Sequence, residues 1–130
     1  MTPLFKKLNL GDHEMIHVIN VPDSFKAELA KLTDVTVKSA LSGNVQFAMA
    51  FVTKQKELDA VSEKLVKSTK DDVILWMVYP KGSSKKYTCE FNRDSGWDVL
   101  KKAGFDTVRM VAIDEDWSAL RFRRVEYIKK

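Results

Sequence analysis

The 130 residues contain a single cysteine, Cys89, so no disulfide can form within them, and the disulfide framework of a small secreted domain is excluded. There are only two histidines, His13 and His17, which leaves little material for an imidazole-based metal centre. Five glycines and three prolines are scattered singly, which excludes low-complexity and collagen-like architecture. No apolar run approaches the roughly 18–20 residues that a membrane span requires. The opening "MTPLFKKLNLGDHE" carries no apolar h-region, and with the lone cysteine this predicts a reducing, cytoplasmic setting.

What is present is ordinary for a globular chain: 45% hydrophobic and 31% charged residues, in a length that predicts one domain over 1–130. The net charge of +4 is too mild to specify a partner, although all five arginines lie at Arg93 or later. Apolar β-rich runs alternate with helical periodicity. Strands are expected at 15–22, 35–41, 45–52, 72–80, 107–113 and 118–128. Helices are expected at 23–32 with Asp23 as N-cap, at 54–68 with Leu58, Val61 and Leu65 on one face, and at 95–104 between Asp94 as N-cap and Gly104 as stop. Strand–helix alternation predicts a three-layer α/β fold, a mostly parallel mixed sheet with helices on both faces. The last two strands are separated only by Asp114-Glu115-Asp116-Trp117, too short for a parallel crossover, so they form an antiparallel hairpin.

Residues 13–17, "HEMIH", match the zinc-protease pattern H-E-x-x-H. That pattern works on a helix, where residues i and i+4 adjoin. Ile16, Val18, Ile19 and Val21 place it instead at the start of a strand, where the two imidazoles stand roughly 13 Å apart. No third histidine follows, and no metal site is assigned.

The loop "YPKGSSKKYTCEFNRDSGW" (79–97) follows the most apolar strand, at the edge where open α/β sheets bind ligands. Lys81, Ser83, Lys86 and Arg93, with the free N–H groups of a helix starting near Asp94, are the candidate anion-binding residues. Gly82 offers a tight turn, and Tyr87, Cys89 and Phe91 fall at strand spacing beneath. The loop is not a P-loop, and no G-x-G-x-x-G occurs, so no cofactor is assigned. In "AIDEDWSALRFRRV" (112–125) three carboxylates occupy the hairpin turn, and Asp114 and Glu115 are expected in water with Trp117 packed inward. Leu120 and Phe122 should face the core, Arg121 and Arg123 away from it, and Arg123-Arg124 should mark a bulge or the strand's end. No G-x-S-x-G elbow is present, and a lone cysteine between Thr88 and Glu90 reads as a packed residue.

The segments "VILWMVYPKGSSKKY", "GWDVLKKAGF" and "VAIDEDWSALRFRRV" resemble an uncharacterised family of small bacterial proteins, most clearly over 72–125. The resemblance implies a stand-alone α/β domain of the bacterial cytoplasm and supplies no activity. The C-terminal block is also similar to the tail of Rossmann-like methyltransferases. "NVPDSF" stands where those enzymes carry a glycine-rich loop, so no S-adenosylmethionine site is carried over.

The functional expectation is a non-catalytic binding module for a small anionic ligand or a partner protein, with the enzyme question leaning to no. One alternative is a small enzyme using Asn20, Thr53, Lys54 and Lys81 around a phosphorylated substrate. Another is a weak nucleic-acid binder through "RFRRVEYIKK", which matches no recognised motif.

Overall fold

The computed structural model describes residues 3–32, 35–41, 43, 45–92 and 95–128. Among these, six strands form one sheet in the order β2-β1-β3-β4-β6-β5. The strands are β1 (Met15–Ile19), β2 (Thr36–Lys38), β3 (Phe47–Phe51), β4 (Ile74–Pro80), β5 (Phe105–Ala112) and β6 (Trp117–Arg124). The helices are α1 (Pro3–Lys7), α2 (Asp23–Ala30), α3 (Gln55–Ser68) and α4 (Asp98–Lys102). The β2–β1–β3–β4 pairings are parallel, and β6 runs antiparallel to both β4 and β5. The mixed, mostly parallel sheet and the C-terminal hairpin expected from the sequence are both present.

The centre of the sheet follows from two uninterrupted apolar runs. All five residues of β3 are buried, and so is every residue of β4 except Ile74. Strands buried on both faces lose the hydrophobic–polar alternation of half-exposed ones. One face packs Leu58, Val61 and Leu65 of α3 and Leu100 of α4 onto Ala48, Ala50, Leu75, Met77, Leu120 and Phe122. The other packs Phe5 of α1 and Phe25 of α2 onto Ile16, Val18, Phe47, Met49, Trp76 and Val78. Each fully buried large side chain contributes about 1.5–3 kcal/mol relative to exposure. The rim is different: β2 is three residues long and exposed throughout, a short edge strand of the kind that resists further pairing.

Several boundaries differ from expectation. Asp23 is the first residue of α2 rather than its cap; Pro22 holds the cap position, and Asp23 pairs with Lys26 at 2.8 Å. α3 is started by Glu57, whose Oε1 accepts the N–H groups of Thr53 at 3.3 Å and Lys54 at 3.2 Å and the Thr53 hydroxyl at 3.0 Å. α4 begins at Asp98, because Gly96 at φ +101 holds a left-handed backbone that interrupts any earlier turn. The proposed cap Asp94 lies outside the described residues. β6 ends at Arg124, as the Arg123-Arg124 pair suggested, while the bulge falls on β5 between Thr107 and Arg109. Arg124 turns back to donate to the carbonyls of Asp71 at 2.8 Å and Thr69 at 2.9 Å, lying over the Phe105 ring at 4.7 Å. No helix among the described residues is long and apolar enough to cross a membrane.

Candidate functional site

The loop after β4 folds onto the hairpin between β5 and β6. Pro80 stands opposite Trp117 at the end of the β4–β6 pairing, which brings residues 81–84 against Asp116. The Lys81 N–H donates to the Asp116 carbonyl at 2.7 Å, and the Ser84 hydroxyl donates to Asp116 Oδ1 at 2.8 Å. Ser84 Oγ also accepts the N–H groups of Lys86 at 3.2 Å and Tyr87 at 3.1 Å, the geometry of a hydroxyl-closed turn. Asp114 Oδ1 accepts the N–H groups of Asp116 at 2.8 Å and Trp117 at 2.9 Å, so one hairpin carboxylate organises the turn's backbone while Asp116 holds the loop. The lysine loop and the acidic hairpin, separate features of the sequence, are one structural unit.

The next segment is stitched to the start of α3. The Glu90 N–H donates to the Thr53 carbonyl at 3.0 Å, and Glu90 Oε1 accepts the Gln55 N–H at 2.9 Å. Gln55 Nε2 donates to the Gly96 carbonyl and to Asp59 Oδ1, both at 2.8 Å. Trp97 packs behind this segment: its Nε1 donates to the Asn92 carbonyl at 2.9 Å, and its ring packs against Tyr79, Phe91 and Phe122 at 5.6, 5.2 and 5.1 Å.

Between these supports lies an open cavity of about 740 Å³ at the C-terminal ends of β4 and β5, on the α3/α4 side of the sheet. Lys81, Ser84, Tyr87, Thr88, Cys89, Glu90 and Asn92 come to it from the loop; Tyr79, Met110 and Ser118 come from three adjacent strands. The Tyr79 hydroxyl reaches Met110 Sδ at 3.7 Å across β6. Of the anion-site residues expected from sequence, Lys81 lines this cavity, while Ser83 and Lys86 are exposed outside its lining. Arg93 lies outside the described residues. The expected helix N-terminus is not beside the loop, since α4 begins at Asp98. An acidic group adjoins the loop, since Asp116 accepts the Ser84 hydroxyl. Gly82 is not left-handed, and a Cβ there would meet nothing within 4 Å. Tyr87, Cys89 and Phe91 do not form a strand: Tyr87 packs on the α1/α2 side and the other two on the α3/α4 side. Burial pushes the Cys89 thiol up and the Glu90 charge adds to this, against one backbone hydrogen bond from Phe91. It is a neutral thiol rather than an activated nucleophile.

Sequence reasoning missed Tyr79, Met110 and Ser118. Only the register could have found them, since Tyr79 faces Ser118 and Met110 faces Leu120 across the hairpin. It also grouped Asn20, Thr53, Lys54 and Lys81, of which only Lys81 lines this cavity. Asn20 lines a different groove of about 630 Å³ along α3, and the Thr53 hydroxyl is committed to Glu57. The HEMIH segment runs into β1, with His17 inside the strand and His13 before it, so the helical geometry of the zinc motif is not met.

No family model matches the chain, and no curated protein does. Solved structures do. A SAM-dependent methyltransferase from Aquifex aeolicus aligns with 93% of this chain and 87% of its own at 14% identity and TM-score 0.60. The magnesium protoporphyrin IX methyltransferase of Synechocystis, solved with bound SAH, aligns over 93% and 78% at 13% identity and TM-score 0.58. The pyocyanin biosynthetic protein PhzM aligns over 94% of this chain at 10% identity and TM-score 0.58, and the chain spans about half of its length (54%). At such identities the likeness is one of fold. The fold is therefore Rossmann-like, of the type found in SAM-dependent methyltransferases, and the similarity extends well beyond the C-terminal tail. This corrects the expectation of a non-catalytic binding module leaning away from an enzyme: solved chains that share the fold include SAM-dependent methyltransferases.

Whether the residues fit S-adenosylmethionine is decided at the first βα turn. The strand order reverses between β1 and β3, and nucleotide-type ligands of such sheets sit at that crevice, over a glycine-rich turn and near an acidic residue that accepts the ribose hydroxyl. Here the turn is Asn20-Val21-Pro22-Asp23-Ser24. Asn20 at φ +57 supplies a left-handed bend, but Val21 packs its side chain onto the α1/α2 core and Pro22 has no N–H to offer. Asp23 is engaged by Lys26, and β2 ends at Lys38 followed by Ser39 rather than at a carboxylate. These residues do not fit the cofactor.

Proposed function

We propose that the chain is a small-molecule enzyme on a methyltransferase-type fold, with its reaction centre in the cavity at the C-terminal ends of β4 and β5. The observation that carries this is the placement of that cavity. It is of ligand size, it opens at the sheet edge where such folds bind substrates, and aromatic walls meet a few convergent polar groups in it. Lys81 is the anion contact, which makes the substrate class small and anionic, and the hydroxyls of Tyr79 and Ser118 orient it. Ser83 and Lys86 flank the entrance from the exposed side of the loop. Glu90 is the acid–base candidate, a carboxylate on the cavity wall anchored through one oxygen by the Gln55 N–H. No step is derived through S-adenosylmethionine. Methyl transfer is the second reading, supported by the coverage of the fold likeness and opposed by the first βα turn.

Amide spectra recorded during titration with inorganic phosphate, sugar phosphates, small carboxylates and S-adenosylmethionine separate the readings. The first reading expects an anionic compound to move residues 79–92 and Lys81→Ala to abolish the effect. Saturable shifts confined to Asn20–Ser24 with S-adenosylmethionine would replace it with methyl transfer. Silence of the cavity amides toward every compound would remove it.

A further inference from the structure

On the α1/α2 side of the sheet, opposite the cavity, Arg109 of β5 and Arg121 of β6 are direct cross-strand partners. Facing side chains in an antiparallel pair have Cβ atoms about 4.5–5.5 Å apart, and like charges there repel. Among the described residues Asp72 alone offsets the repulsion at Arg121, and its carboxylate is already bound by Arg123. Arg123, one step along the same face of β6, is bound by Asp72 through Nε and Nη2, both at 2.7 Å. Asp106, opposite Arg123, turns its carboxylate to the Thr107 N–H at 2.8 Å. Arg124, on the other face, is spent on the carbonyls of Thr69 and Asp71. Arg109 and Arg121 have no acceptor among the described residues.

Arg121 is also held in place. Its inner cross-strand neighbour is Trp76, fully buried, whose indole Nε1 donates to the Leu8 carbonyl at 2.9 Å and so cannot swing away. Arg121 Nε is sealed from solvent with no hydrogen-bond partner. Burial pushes the guanidinium's pKa down, Arg123 and Arg109 add to this, and Asp72 alone opposes. A guanidinium does not escape such a setting by losing its proton. It gains most from an acceptor with negative charge and more than one oxygen, because its donors form a planar fork. Arg109, exposed at the edge strand, supplies a second fork to the same acceptor.

We propose that Arg109 and Arg121 form an oxyanion site for the phosphate group of a small ligand, on the face of the sheet opposite the cavity. The site is independent of the function proposed above, since it shares no residue with the cavity.

The test follows the arginine Nε–H resonances by NMR, with Arg121→Lys and Arg109→Lys identifying the two signals. Inorganic phosphate and pyrophosphate are titrated against chloride at matched ionic strength, and a single-stranded oligonucleotide forms a separate arm. The expected result is a saturable shift of Arg121 Nε–H with either phosphate and none with chloride, while Arg123 Nε–H, held by Asp72, stays still. In Arg109→Gln, an exposed position that leaves the fold intact, the midpoint should rise roughly tenfold or more, the cost of one lost charge-assisted contact. An unchanged midpoint in Arg109→Gln, a matching shift with chloride, or no saturable shift overturns the proposal. So does a response to the oligonucleotide alone, which would mark the pair as a contact for a polymer backbone.

Discussion

Ser84 donates its hydroxyl proton to Asp116 Oδ1 at 2.8 Å, joining the loop after β4 to the β5–β6 hairpin across 32 residues of sequence. Because Ser84 Oγ also accepts the Lys86 and Tyr87 N–H groups, one hydroxyl both closes the loop and fastens it. Ser84→Ala leaves those donors and the Asp116 carboxylate unpaired. A loss of about 1–2 kcal/mol by urea denaturation is expected, with faster amide exchange at residues 84–87. Equal exchange in variant and wild type would show that the loop is held by something else.

Trp117 is buried, with its ring against Phe51 at 5.3 Å and Tyr87 at 4.8 Å. Trp117→Ala is expected to cost about 3–5 kcal/mol. The indole Nε1 has no partner among the described residues, so the ring's packing and not its N–H carries the stability. Trp117→Phe should therefore lose far less than the alanine variant. Glu115 is exposed, and Glu115→Ala should fall within about 0.5 kcal/mol of wild type. Comparable losses for all three variants would refute this ordering.

The parts of this fold that were legible in the sequence are those where one local pattern decides the outcome. The apolar runs of β3 and β4 can only be central strands, and a four-residue connector forces β5 and β6 antiparallel. α1 was not legible, because "PLFKK" is too short to show a period; Phe5 buries against the sheet, and the Leu8 carbonyl just beyond it accepts from Trp76. The start of α4 was misplaced because Gly96 was passed over as an ordinary helix residue. At the candidate site Lys81, named from loop chemistry, lines the cavity. Its neighbours were not legible, since Ser84 meets Asp116, and Tyr79 meets Ser118, only through strand register. The reach of the methyltransferase likeness beyond the C-terminal block was not read, because the first βα turn lacks the glycines that advertise it.

Asp72 gives the chain a pH signature. Its hydrogen bonds from Arg123 hold its carboxyl below the usual range, against the opposing effect of burial. A depressed folded-state pKa contributes stability above the unfolded value of about 3.9, and that contribution disappears as pH falls through the folded pKa. Both side chains are about one-third exposed (31% and 36%), so solvent screening keeps the pair to about 1 kcal/mol or less despite its two-pronged geometry. The stability difference between wild type and Asp72→Asn should be constant from about pH 5 to 8 and shrink below about pH 4. A difference that widens on acidification would contradict the assignment.

Gly96 sits in a tight left-handed turn beside Phe91, one of the residues that line the cavity. Its φ of +101 lies where L side chains rarely go, and a Cβ there would stand 2.7 Å from Phe91 Cβ and 2.8 Å from Gln55 Oε1. The first neighbour is buried and cannot yield. The second belongs to the carboxamide that holds the Gly96 carbonyl and Asp59. Gly96→Ala therefore combines backbone strain of about 1–3 kcal/mol with the loss of the Gln55 bridge, so the expected destabilisation exceeds about 2 kcal/mol. Gly82→Ala is the control, since nothing lies within 4 Å of its Cβ and its φ is not left-handed; it should remain within about 0.5 kcal/mol of wild type. Urea denaturation of both variants decides the matter. If Gly96→Ala were as stable as Gly82→Ala, Gly96 would not hold this left-handed conformation against Phe91 and Gln55 in solution.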